Sequence, residues 1–173
     1  MEGEIMNRVA NSPLVTIDLE EYYHHGDRVE YDIAQNLFQG LILREKDFRA
    51  FVKEYDWGQY SGKNVNIISS ADAIIPTWAY MLLVTKLEEY ANMVIKGSSE
   101  LLEFAIFKKA FEKIDLNELK DKPIVIKGCG ELNISNAIYS ELTRILKPIA
   151  KSIMYGEPCS TVPVFKKSRA PKN

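Results

Sequence analysis

Three short apolar runs, each cut off by glycine or serine and each followed by a helical pattern, leave this chain few folds to choose from. The sharpest is Ile124-Val125-Ile126, which stops at Gly128-Cys129-Gly130. A brief, largely β-branched run without polar alternation reads as a strand covered on both faces, and such strands belong to parallel sheets flanked by helices. Val65 to Ile68 runs into Ser69-Ser70 in the same way, and Met93 to Ile95 into Gly97-Ser98-Ser99. Three strand–helix units in succession predict right-handed crossovers on a parallel sheet. Such sheets place ligands at the carboxyl ends of their strands, and Cys129 stands there.

The helices follow from spacing. Phe48, Phe51, Val52 and Tyr55 share one face of a helix that should stop near Gly58. Thr77 to Tyr90 is apolar nearly all round, which predicts a helix sandwiched between layers. Leu101, Leu102, Ala105, Ile106, Ala110 and Phe111 mark another, opened by Ser98-Ser99. The last carries Ile138, Leu142, Ile145, Leu146, Ile149 and Ile153, with Ser135 at its start and Gly156 and Pro158 as stops. Pro148 permits a second parse, in which the helix ends early and Ile149 to Tyr155 returns as a fourth parallel strand. The periodicity through Ile153 favours the continuous helix.

Nearer the amino terminus, Leu14 to Leu19 and the alternating Val29, Tyr31 and Ile33 flank the turn-like His24-His25-Gly26-Asp27. That arrangement predicts an antiparallel hairpin. Leu37 to Leu43 reads as a third or bent strand. Thr161 to Phe165 alternates weakly, and Pro163 confines it to an edge. The expected fold is α/β: a mixed sheet with parallel strand–helix repeats and an N-terminal antiparallel hairpin. Trp78, Leu82, Val125, Ile138 and Leu142 are expected in its core. Residues 1–167 read as one domain, and 168–173 as a basic flexible tail.

Composition excludes several function classes. A chain of 173 residues fits one domain that buries about two-thirds of its unfolded surface. A net charge of -2 supplies no field for nucleic acid or an anionic membrane. No apolar run reaches the length of a membrane span, and Met1-Glu-Gly-Glu4 lacks the features of a signal peptide. Two distant cysteines make no disulfide framework, so the expected setting is a reducing cytoplasm.

The groups left to carry chemistry are few. Cys129 follows a strand and precedes a helix whose positive end favours thiolate, and Cys159 lies in a turn beside Glu157. Whether the two cysteines share a site depends on the parse at Pro148. Ser69, Ser70 and Asp72 would join Gly97-Ser98-Ser99 and Gly128-Cys129-Gly130 at one rim if the three strands are neighbours. Such a rim can hold an anion on backbone N–H groups, although helix capping alone accounts for Ser70, Asp72, Ser98 and Ser135. No phosphate-loop or dinucleotide-binding pattern is present. His24 and His25 are adjacent, so in a strand they would point to opposite faces, and neither has a nucleophile partner in the sequence.

The segments Ser69 to Leu83, Val125 to Cys129 and Ser152 to Pro163 together resemble a family of uncharacterised Bacteroidetes proteins, domain of unknown function 2480. The resemblance covers nearly the whole chain and brings no assigned activity or catalytic residue. It implies a neighbourhood of sulfur-mobilising components of iron–sulfur cluster assembly. The family pattern places Pro after Tyr22-Tyr23, where this chain has His24-His25, which weakens a histidine-based site further. A first expectation is therefore a thiol- or metal-handling accessory working through Cys129 and Cys159. Iron or zinc would need Asp72, Glu157, water or a second subunit to complete its ligands. A second is a non-catalytic module for a protein partner, similar in outline to anti-sigma-factor antagonists, with Ser70 at the position of their switch serine. A third is an enzyme for a small anionic substrate. The oligomeric state is open.

Overall fold

The structure is a computed structural model that describes residues 13–128, 130–157 and 159–168. The chain begins with β1 (Val15–Ile17), β2 (Arg28–Asp32), α1 (Glu45–Glu54) and β3 (Asn64–Ile68). It continues with α2 (Thr77–Leu87), β4 (Met93–Lys96), α3 (Ser99–Phe111) and the short α4 (Leu116–Leu119). It ends with β5 (Pro123–Ile126), α5 (Asn136–Leu146), β6 (Ser152–Glu157) and β7 (Ser160–Lys166). Contacts sort these elements into two compact units. One is His24–Phe107; the other joins the segment ending at Tyr23 to the segment beginning at Lys108.

The inserted unit contains the sheet β2-β3-β4, parallel throughout. Alternation divides its faces. Tyr31, Val65, Ile67 and Val94 pack in one cluster with Phe48 and Val52 of α1, with Ala79, Leu83 and Leu87 of α2, and with Trp57 and Tyr60. Polar tips inside this cluster are satisfied: the Trp57 indole donates to the Val52 carbonyl at 2.8 Å and the Tyr31 hydroxyl to Asn36 Oδ1 at 2.7 Å. Burial raises the pKa of the Tyr31 hydroxyl. The expectation of a sandwiched α2 is corrected here. Only the Ala79, Leu83, Leu87 stripe is buried, Trp78 and Leu82 pack at the margin of the cluster, and Met81 is 63% exposed.

The other face of the same sheet is polar along β2 and β3. Asn64 and Asn66, in the central strand, are both buried. Asn64 Nδ2 donates to the Gly26 carbonyl and lies 3.1 Å from His24 Nδ1, while its Oδ1 accepts from Asn92 at 2.7 Å. Asn66 Nδ2 donates to Glu30 and to the Gly97 carbonyl. Arg28 bridges Glu103 of α3 through two nitrogens and also donates to the Gly26 carbonyl. Burying these groups is tolerable because each finds a partner.

The segmented unit holds the sheet β1-β5-β6-β7. β1 pairs parallel with β5, and β5 with β6, while β6 and β7 run antiparallel. The α/β class and the parallel strand–helix units stand as expected, with Pro163 in an edge strand of this sheet. The strands divide between two sheets, however, and the antiparallel pair lies at the carboxyl-terminal end. The amino-terminal hairpin does not form: β1 and β2 enter different sheets. Leu19–Tyr22 coils into a 3-10 turn capped by the Asp18 side chain, and Arg28 ties down the loop ahead of β2 instead of closing a two-residue turn. Leu37 to Leu43 is not a third strand but a tight turn with a single bridge, Phe38 to Ile42, made possible by positive φ at Gln39 and Gly40.

The favoured parse of the last helix is corrected too. α5 stops at Leu146, and Ile153 belongs to β6, parallel to β5. Pro148 has no N–H to give the carbonyl four residues back, and its ring crowds that turn. The stripe Ile138, Leu142, Leu146 is buried, as is Ile153. A single apolar periodicity thus spans a helix and the start of the next strand.

Candidate functional site

Two chain ends meet at the carboxyl edge of β1 and β5. Asp18 leaves β1 and Lys127 leaves β5, 109 positions apart in sequence, and Lys127 Nζ reaches Asp18 Oδ2 at 2.6 Å. The Lys127 N–H donates to the Ile17 carbonyl at 2.9 Å, which extends the ladder by one rung and fixes both side chains at the rim. Beyond them a polar cleft of about 360 Å³ is lined by Asp18, Glu20, Lys127, Gly128, Gly130, Asn133, Asn136, Tyr139 and Tyr155, among others. Strand order here runs one way, β1 to β5 to β6, so the crevice is not made by a reversal of order. The turn after β1 and the long loop from Lys127 to Ser135 form it instead.

Two glycines of that loop lie close against the tips of cleft side chains. A Cβ at Gly128 would stand 2.7 Å from Tyr155 Cζ, and one at Gly130 would stand 2.2 Å from Glu20 Oε1. The Tyr155 hydroxyl donates to the Gly128 carbonyl at 3.4 Å, and Tyr139 meets the Tyr155 ring edge-on at 5.6 Å. Glu20 Oε1 accepts from the Leu132 N–H at 2.7 Å. That backbone donor, the kind that could hold a foreign anion, is therefore taken by the chain's own carboxylate.

Charge in the cleft is mixed. Asp18 is held below the usual carboxylate pKa, first by its hydrogen bond from Lys127, against the opposing effect of burial. Lys127 is raised, first by its hydrogen bond to Asp18, with Glu157 and Glu20 adding Coulomb attraction. Glu157, at the end of β6, keeps a buried Oε1 with no hydrogen-bond partner among the described residues. Among the described residues, Asp18 and Glu20 line the cleft with Lys127, and Glu157 acts on the same ammonium from the end of β6. Such a site suits a polar or cationic group better than an anion.

The sequence-derived candidates distribute unevenly. Cys129 lies outside the described residues, although Gly128 and Gly130 on either side of it line the cleft. Cys159 is a free, exposed thiol in the turn between β6 and β7. Ser70 is in the other sheet's unit, where its hydroxyl and its N–H both donate to Asp32. Burial acts to raise the Asp32 pKa, but these bonds and one from the Ala34 N–H outweigh it and hold the carboxyl below its ordinary value. Asp72 is exposed and precedes α2 without capping it. Ser70 also stands well before Thr77, so it is not the serine at a helix start that an anti-sigma-antagonist switch would use. Ser98 does cap α3, accepting from the Leu101 N–H at 3.3 Å. The single rim expected for Ser70, Asp72, Gly97 and Gly128 does not exist as one strand edge, because β3 and β4 are not in the sheet of β5.

Sequence reasoning passed over Asp18, Lys127 and Tyr155. Asp18 and Lys127 each follow a strand directly, which is a usable signal, but nothing local says that β1 and β5 are neighbours. Among the described residues no group of three or more His, Cys, Asp or Glu side chains could hold a metal ion. Asp18 is also committed to Lys127, so the described carboxylates do not fit a metal centre.

The family described as a protein of unknown function, DUF2480, matches residues 3–167. The chain belongs to this family. No curated protein and no solved structure matches it. DUF2480 membership brings no activity with it, so the cleft has to be read from its own chemistry. No helix among the described residues is long and apolar enough to cross a membrane.

Proposed function

We propose that this DUF2480 member is a thiol-handling accessory protein, of the kind that iron–sulfur cluster assembly employs, and that it works at the carboxyl edge of β1, β5 and β6. The observation that carries this reading is the cleft itself: both sequence neighbours of Cys129 line it, together with Lys127 and Tyr155. The parallel pairing of β6 with β5 adds a second thiol, because exposed Cys159 follows the strand that ends at this same edge. Among the described residues of the cleft the cation is Lys127, two positions before Cys129 in sequence, and an ammonium favours thiolate over thiol, here against the opposing field of Asp18 and Glu20. Tyr155 and Tyr139 offer an aromatic wall and a hydroxyl to a ligand's polar head. The described carboxylates favour carriage of a thiol or sulfur group over a resident iron or zinc.

Alkylation rates against pH, measured on the Cys159→Ser chain and on the Cys129→Ser chain purified anaerobically, test the reading. Cys129 is expected to react in the folded state with a pKa below the ordinary value of about 8.5, and Lys127→Met is expected to raise that pKa. A Cys129 thiol that reacts only after denaturation would overturn the proposal. Metal analysis of the same preparations decides between thiol and metal handling: stoichiometric iron or zinc lost in both Ser variants would restore the metal reading.

A further inference from the structure

A helix with two apolar faces needs two partners, and within its own unit α2 has one. Ala79, Leu83 and Leu87 are buried among the residues of the β2-β3-β4 unit. Tyr80, Met81 and Val84 instead line an open groove of about 610 Å³, with Thr77, Thr85 and Lys96 around them. Apolar residues gathered around one groove, with Met81 63% exposed, offer a partner a contiguous apolar contact rather than a single side chain.

The ends of the groove differ in charge. Lys96 stands near the amino-terminal half of α2, its Nζ 5.6 Å from the centre of the Tyr80 ring. Glu88 caps the carboxyl end of α2 and is exposed. Spacings of three and four place positions 77, 81, 84, 85 and 88 on one face, so Glu88 continues the stripe of Met81 and Val84. The carboxyl end of the helix adds its own partial negative charge there. A stripe that is positive at one end, apolar in the middle and negative at the other complements a copy of itself turned end for end. A two-fold axis makes that arrangement.

We propose that a second copy of this chain docks on α2, the two helices antiparallel with the axis between Met81 and Val84. Each Met81 then packs on the partner's Val84, each Tyr80 faces the partner's Thr85, and each Lys96 meets the partner's Glu88. Thr77 and Thr85 are small enough to let the helices approach closely. The stripe from Thr77 to Glu88 is only about 16 Å long, at 1.5 Å per residue. It falls short of the roughly 800 Å² per partner of a standard interface, so the dimer is weak and reversible. The proposal does not depend on the thiol reading, since none of the described residues lining the groove is a cysteine.

Sedimentation velocity of the full chain over a wide concentration series tests it, in reducing buffer so that exposed Cys159 cannot bridge two molecules. The chain is expected to move from monomer to dimer as concentration rises, and Met81→Glu to stay monomeric with an unchanged melting temperature. Glu88→Lys should weaken the dimer by setting Lys against Lys96, and the double exchange Lys96→Glu with Glu88→Lys should restore it. A monomer at every concentration would overturn the proposal, as would a dimer that Met81→Glu leaves intact. A groove filled by a co-purified apolar ligand or by a different protein would overturn it equally.

Discussion

Asn64 and the Asp18–Lys127 pair show how single residues commit this chain. Asn64 is fully buried, and its amide serves Gly26, His24 and Asn92 at once. Asn64→Ala would remove its bonds to Gly26, His24 and Asn92, of which the Gly26 carbonyl keeps Arg28 and His24 keeps the Gly26 N–H, and each lost hydrogen bond costs about 0.5–1.5 kcal/mol. The urea midpoint is expected to fall accordingly; a change no larger than that of an exposed substitution would mean the network carries no stability. Asp18 and Lys127 give a pH signature. The Asp18 pKa is lowered on folding, so its contribution is complete above the unfolded value of about 3.9 and is lost as pH falls through the folded one. The Lys127 pKa is raised, so its contribution is complete below about 10.4 and is lost as pH rises through its folded value. The stability gap between the natural chain and Asp18→Asn should therefore be constant near neutrality and shrink in acid, in urea titrations run at a series of pH values. A gap that widens in acid would contradict the assignment. Neither feature was legible beforehand, because an Asn in an apolar run and an Asp after a strand look alike whether solvated or paired.

At the scale of elements, the helices were read well and their faces less well. Leu82 and Leu142 look equivalent in the sequence, yet Leu142 is fully buried and Leu82 only borders the core. Leu142→Ala should cost about 2–5 kcal/mol, the usual range for a buried leucine. Leu83→Ala should match it, and Leu82→Ala should cost clearly less. Equal losses for Leu82 and Leu83 in a denaturant titration would mean that the buried stripe of α2 has been misplaced. The reason for the misreading is that α2 is apolar on both faces, so periodicity could not choose between them. At α5 the opposite happened: periodicity ran on without a break, and Pro148 ended the helix all the same. Ile149 and Ile153 fit the helical spacing by coincidence, since the buried second residue of β6 continues the apolar period in phase.

For the whole molecule, the insertion is the fact with most consequence. β1 and β5 are neighbours in one sheet while the complete β2-β3-β4 unit lies between them in sequence. α3 runs unbroken through the point where one unit gives way to the other, Phe107 to Lys108, so fraying it from either side should loosen both. We therefore expect one calorimetric unfolding transition for the chain, and two resolved transitions would divide it at those boundaries. At the carboxyl end, the last backbone tie among the described residues is the Lys167 N–H to the Lys151 carbonyl, beside the Lys167–Asp121 ion pair. A chain ending at Lys167 should keep the melting temperature of the full one, while removal of Lys167 itself should lower it slightly.

What lay in the amino-acid order was local: the β-branched runs, the helical spacings, the serine ahead of α3, the proline that confines β7 to an edge, and the α/β class that these imply together. These patterns rest on interactions within a few residues, which is why they survive without a structure. Which strand lies beside which was settled only in three dimensions. A parallel ladder is made by backbone groups that every residue carries, so no side chain announces that Val15 will pair with Ile124. The cleft inherits that property: Asp18, Glu20, Lys127 and Tyr155 become one site through the pairing of β1, β5 and β6, and separately none of them announces a site.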